Sequence, residues 1–244
     1  MAGRLAYGTD QFQFGELSIP SGEGRFPAAI VIHGGFWRSK YDLKYIRPVC
    51  AALANVGIAS WNIEYRRIGN PGGGFPGTLD DVAAAGNYFD SITSRFNLDP
   101  NRVIAIGHSA GGHLALWLAG QKKFLTGAIS LAGVVDLRRG WELKLSNNVV
   151  GELLGGSPNE VPERYAFASP IERVPIGIPQ RLFHGTADAD VPFEISERYV
   201  QAARSRADDA TLIALPDASH YDPVDPRTKE FAQVLACAMK LLKL

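Results

Sequence analysis

Cysteine and methionine are scarce in this 244-residue chain, two of each, and the two cysteines, Cys50 and Cys237, lie far apart. Such a pair cannot staple a small fold, so a hydrophobic core must hold the chain together, and a reducing compartment is expected. Charge of one sign is also missing: 25 Lys and Arg balance 25 Asp and Glu. No basic or acidic field therefore points to nucleic acid or an anionic membrane as partner. No apolar run approaches the ~18 residues that span a bilayer. Residues 1–10 lack the apolar stretch and cleavage site of a secretory signal. A cytoplasmic protein, monomer or homodimer, with a small-molecule partner is the expectation. Metal chemistry has little support, because there is no H-E-x-x-H and Asp188 and Asp190 have no further ligands at calcium-loop spacing. The glycine-rich stretch 70–77 is not followed by Gly-Lys-Ser/Thr, which argues against a phosphate cradle, and no cofactor is expected.

What is present is an ordinary core composition, 46% hydrophobic and 20% charged, with strand and helix signals in alternation. Residues 28–33, 58–65, 103–106, 126–131, 181–184 and 211–215 read as strands, most of them continuous apolar runs buried on both faces. Residues 11–20 alternate loosely and read as an edge strand. Helical spacing covers 43–55, 78–93, 192–206 and 226–242. This predicts one α/β domain over 1–244, a mostly parallel twisted sheet with helices on both faces. Residues 136–178 break the alternation with short helical pieces and read as a small lid-like insertion over the ligand-binding edge of the sheet.

The most informative segment is Gly107-His108-Ser109-Ala110-Gly111-Gly112, directly after the apolar run 102–106. It has the G-x-S-x-G pattern of a nucleophile elbow, in which a strand ends in a sharp turn and a helix begins. The glycines leave room for one side chain to be pushed into a strained, exposed position. Ser109 is the candidate nucleophile. A serine hydroxyl needs a base and the base an orienting acid, in the chain order Ser, Asp or Glu, His. His220, in the polar turn 217–222, fits the base. Asp188 follows the 181–184 strand and fits the acid; Asp190 is the runner-up, and its other reading is to cap the helix near Pro192. His108 and His113 are too close to Ser109 in its own turn and helix, and His33 and His184 read as strand-end loop anchors. Two backbone N–H groups would hold an oxyanion: that of Ala110, and that of Gly35 or Phe36 in the Gly-Gly turn after the first buried strand. Trp37, Trp141 and Tyr221 are candidate substrate-binding aromatics, although core packing is the commoner use of such rings.

With these residues in place the chain resembles the α/β-hydrolase superfamily, and more narrowly its small serine esterases and arylformamidases. His33-Gly34-Gly35, Tyr65-Arg66, Phe75-Pro76 and Leu79-Asp80-Asp81-Val82 are similar to segments of that group. The elbow through Leu114 and the His220-Tyr221-Asp222 segment are similar to kynurenine-formamidase-like members. Trp37-Arg38 replaces the third glycine of HGGG lipases, His108 replaces their usual aspartate, and a long N-terminal cap is missing. The resemblance implies a compact serine hydrolase acting on small carboxylic esters through an acyl-enzyme. An N-formyl aromatic amine is the alternative substrate. A non-catalytic binding protein of the same fold is the third reading, which loss of a triad residue would favour.

Overall fold

The computed structural model describes residues 3–244. Eight strands form one sheet in the order β1-β2-β4-β3-β5-β6-β7-β8. β1 (Arg4–Ala6) and β2 (Phe14–Ser18) pair antiparallel at one edge. β3 (Phe26–Ile32), β4 (Ala59–Ile63), β5 (Leu98–His108), β6 (Gly127–Leu131), β7 (Gln180–Gly185) and β8 (Ala210–Leu215) run parallel. Strands covered on both faces favour apolar residues on each, and Ala28–Ile32 and Val103–Ile106 are unbroken apolar runs, with Ser60, Asn62 and Ser130 as buried polar exceptions in β4 and β6.

Helices cover both faces. α1 (Arg47–Asn55) and α8 (Lys229–Leu241) pack on one side with Ile104, Ile106 and Ile129. α2 (Gly77–Ile92) and α3 (Ala110–Ala119) pack on the other with Trp61 and Val103. α7 (Glu194–Ser205) joins that second layer through Ile195 and Tyr199. The helix expected over 43–55 is divided into a 3-10 turn at Leu43–Ile46 and α1, whose first turn holds Pro48, where a missing N–H costs nothing. β5 begins earlier than expected, at Leu98, because Leu98 pairs with Phe26 across an irregularity in the register. The three-residue β1 was too short to leave a pattern.

The 136–178 insertion forms α4 (Leu137–Glu142), α5 (Leu145–Leu154) and α6 (Pro162–Ala168). Its apolar residues Leu137, Val149, Val150 and Leu154 are buried in the main core. The Ala168 and Phe167 carbonyls accept from His113 and Trp117 of α3, and the Leu153 carbonyl accepts from Phe75 N. The segment expected as a lid-like insertion packs down on α3 and the 70–77 loop. Among the described residues no helix is long and apolar enough to cross a membrane.

The chain steps from β3 outward to β4 and then returns to β5 on the other side of β3. That reversal leaves a crevice beyond the carboxyl ends of β3 and β5, where open α/β sheets bind ligands.

Candidate active site

Ser109 sits at that crevice with φ 57° and ψ −121°, between the end of β5 and the start of α3. A non-glycine residue with this backbone costs about 1–3 kcal/mol and persists only where its surroundings enforce it. The surroundings here are backbone. A Cβ on Gly107 would lie 2.1 Å from the Gly111 carbonyl oxygen, and one on Gly111 would lie 2.0 Å from that of Ile32. Ser109 N donates to the Leu131 carbonyl at 2.8 Å, fixing the elbow to β6. Every residue of α3 is buried, so this helix is held on all sides and carries the elbow with it.

Asp188 lies in the turn after β7, with its side chain fully buried. Its Oδ2 is 2.7 Å from Nδ1 of His220 and 3.2 Å from Nε2 of His184, and its Oδ1 accepts from the backbone N–H of Asp190 and Val191. Burial alone would raise the pKa of this carboxyl. The hydrogen bonds from His184 and His220 outweigh it and hold the group below the usual carboxylate range. His184 Nε2 also faces the Val191 carbonyl at 2.9 Å, and its Nδ1 is 2.7 Å from Ser196 Oγ. It is a loop anchor that also braces the acid.

Ser109 and His220 line one cavity of about 330 Å³ with Gly35, Phe36, Asp190 and Tyr221. Tyr41, Tyr45 and His108 complete its wall, so four of the nine lining residues are phenylalanine or tyrosine. The structure thus brings Ser109, Asp188, His220, Gly35, Phe36 and Tyr221 to one place, with Ala110 directly behind the serine as the first residue of α3. Gly35 has φ 102°, and a Cβ there would fall 2.4 Å from Cβ of Tyr41, so only glycine fits. Phe36 and Trp37 also have positive φ, 50° and 55°, a sharply coiled loop with Gly35 and Phe36 in the cavity wall.

Two of the expected substrate-binding aromatics are elsewhere. Trp37 is fully buried, and its Nε1 donates to Nδ1 of His113 at 3.2 Å, which makes it a core residue. Trp141 packs partly buried against the main core and does not line the cavity. Asp190 is not the cap of α7, because the residue at that cap is Phe193 and no side chain bonds there. Asp190 faces the cavity instead. Asp188, Asp190 and His220 each offer one ligand atom within 4.8 Å of the others, but both Asp188 oxygens already accept hydrogen bonds, which leaves a metal little to gain.

Tyr41 and Tyr45 are not singled out by the sequence, and His108 is weighed there only as a base and set aside. Tyr45 lies in the 3-10 turn tied to β4, where Glu64 Oε2 accepts from Leu43 N and Asn62 Nδ2 donates to the Leu43 carbonyl. Glu64 Oε1 also stands 2.9 Å from His33 Nε2 and 3.0 Å from Arg67, a buried charged cluster beneath the Gly34–Trp37 loop. Glu64 and Arg67 are three residues apart, but His33 joins them only through the β3–β4 pairing.

The profile of the BD-FAE family matches residues 17–202. Esterase LipC of Mycobacterium tuberculosis is 27% identical over 259 aligned residues, covering 96% of this chain and 63% of LipC. A truncated carbohydrate esterase from gut microbiota superposes with a TM-score of 0.85 at 21% identity, over 99% of this chain and 96% of that one. A thermophilic esterase of Thermogutta terrifontis in its propionate-bound form gives a TM-score of 0.80 at 24% identity, over 99% and 93%. The chain spans 61–63% of the length of LipC and of further curated bacterial relatives. Sheet order, elbow and family profile agree, and the chain belongs to the BD-FAE family, on an α/β-hydrolase fold.

Proposed function

We propose that this protein is a serine hydrolase of small carboxylic esters, with Ser109 as nucleophile, His220 as base and Asp188 as the acid that orients it. The observation that carries the reading is the strained Ser109 in one cavity with His220, whose Nδ1 is 2.7 Å from the buried Asp188 carboxylate. Ser109 Oγ attacks the ester carbonyl and His220 Nε2 takes its proton. Asp188 accepts the Nδ1–H and stabilises the imidazolium. The developing oxyanion is received by the N–H of Ala110 and that of Gly35 or Phe36. His220 then protonates the leaving alcohol, and water resolves the acyl-enzyme by the reverse path.

A cavity of about 330 Å³ favours a short acyl group, and the propionate held by the Thermogutta neighbour points the same way. Each buried methylene adds about 0.8 kcal/mol only while room remains. Efficiency should therefore peak from formyl to butyryl and fall by octanoyl in a p-nitrophenyl ester series. Higher efficiency on dodecanoyl than on butyryl would end the small-ester reading. Ser109→Ala should abolish turnover and leave the fold intact; more than a tenth of wild-type activity would remove Ser109 from the mechanism. The aromatic wall of Phe36, Tyr41, Tyr45 and Tyr221 also suits an N-formyl aromatic amine, and N-formylkynurenine belongs in the same assay.

A further inference from the structure

The residue in the x position of the elbow, His108, is fully enclosed, yet the reaction leaves it without a task. Its Nε2 donates to the backbone carbonyl of His220 at 2.9 Å, and its Nδ1 lies 3.0 Å from the Tyr45 hydroxyl. That hydroxyl in turn accepts from Gly34 N–H at 2.5 Å. Directions are fixed by elimination. A carbonyl can only accept, so His108 carries its proton on Nε2; Nδ1 is then an acceptor, and Tyr45 donates to it. The chain of bonds runs Gly34 N–H to Tyr45 O–H to His108 Nδ1, and His108 Nε2–H to the His220 carbonyl. Gly34 opens the loop that presents Gly35 and Phe36, and His220 is the proposed base.

The packing around this chain leaves no slack. A Cβ on Gly34 would fall 2.5 Å from the His108 carbonyl oxygen, 2.8 Å from the Tyr45 hydroxyl and 2.9 Å from Cβ of Ser109. The His108 ring stands 4.6 Å from the His220 ring and 5.9 Å from that of Tyr45. Burial keeps the His108 imidazole neutral, so the donor and acceptor roles hold across ordinary pH.

We propose that Tyr45 and His108 are positioning residues that bind the oxyanion-side loop to the backbone of the base, so that both halves of the site keep one geometry. The proposal rests on the serine esterase reading. Neither residue touches the reacting atoms. Their effect would come through placement, where a shift of ~1 Å can cost ~100-fold in rate.

The test uses Ser109 labelling by a fluorophosphonate, followed by mass spectrometry, which requires no knowledge of the natural substrate, together with p-nitrophenyl acetate kinetics. Tyr45→Phe removes only the hydroxyl. His108→Gln keeps a donor near the Nε2 position and loses the Tyr45 bond, whereas His108→Asn keeps the Tyr45 side and loses the His220 carbonyl. Each should lower the labelling rate and kcat by about 10- to 100-fold, with KM within about threefold. Tyr45→Phe and His108→Gln break the same bond, so the double variant should be no more than about threefold slower than Tyr45→Phe alone. Labelling within about threefold of wild type in all three single variants overturns the proposal, as do losses that multiply in the double variant. If Tyr45→Phe fails to fold, as judged by circular dichroism, the two His108 variants decide the question. Wild-type protein that takes no label at Ser109 would instead overturn the esterase reading itself.

Discussion

Acid should destabilise this protein well before its carboxylates titrate, because two histidines are folded in neutral. Burial pushes His108 down to about 3 and His113 to about 4, from the ordinary 6.5. For His113 the cause is visible bond by bond. Nε2 donates to the Ala168 carbonyl and Nδ1 accepts from Trp37 Nε1–H, so a second ring proton would point at another donor. In the unfolded chain both rings take up protons as pH falls through 6.5, while the folded protein resists until pH 3 to 4. Stability is therefore complete above about pH 7, declines below 6.5 and goes on declining to the folded values. At pH 5 each ring is 1.5 units below its unfolded value, about 2 kcal/mol, or about 4 kcal/mol for the pair. That is a large share of the ~5–15 kcal/mol by which domains are stable. Urea unfolding followed by tryptophan fluorescence at pH 7 and pH 5 measures it. His113→Gln retains a donor toward Ala168 and removes one titrating ring, so the loss between the two pH values should shrink by about 2 kcal/mol. An unchanged wild-type midpoint, or a His113→Gln variant with the wild-type pH dependence, would show that these rings are not held neutral.

Three further outcomes are expected. Asp188→Asn should lower kcat on p-nitrophenyl acetate on the order of 10⁴-fold, by analogy with serine proteases; a loss below tenfold would remove Asp188 as the orienting acid. Asp190→Asn should leave the urea midpoint nearly unchanged, since this exposed side chain caps no helix; a loss above about 1 kcal/mol would contradict that. Gly111→Ala should cost about 3 kcal/mol or more because the new methyl meets the Ile32 carbonyl, while Gly120→Ala, with φ −70° and its nearest neighbour at 3.5 Å, should be tolerated. Equal urea midpoints for the two variants would refute the steric account of the elbow.

Short β-branched apolar runs bounded by turn residues made the central strands legible, since a run such as Ala28–Ile32 suits a strand covered on both faces and is too short for a buried helix. Turn chemistry pointed to Ser109, Asp188 and His220, because each sits at a strand end marked by glycine or a polar cluster. Trp37 shows where that reasoning stops. Its neighbours Gly35 and Phe36 line the cavity, yet a third consecutive positive φ, at Trp37 itself, goes with a tryptophan turned inward to His113, 76 residues on. The same limit hid Tyr45, whose hydroxyl meets His108 63 residues away. Residues 136–178 break the strand–helix alternation, and their spacing did not show that Leu137, Val149, Val150 and Leu154 are buried in the main core. Facing, unlike periodicity, is settled by the rest of the fold.

The enclosure of α3 ties chemistry to the cooperative unit of the protein. Mobile sites are usually drawn from segments that open locally at little cost, and they lose activity before the molecule melts. Here the serine is wedged between the end of β5 and a helix with no solvent-facing residue, flanked by Gly107 and Gly111, whose backbones leave no room for a Cβ. The elbow can leave its geometry only if the central strands part. Amide exchange at His113, which donates to the Ser109 carbonyl, and along the rest of α3 should therefore proceed only through global opening. Heat should erase activity along the same curve that erases the fold, with no intermediate that is native in shape and inert at Ser109.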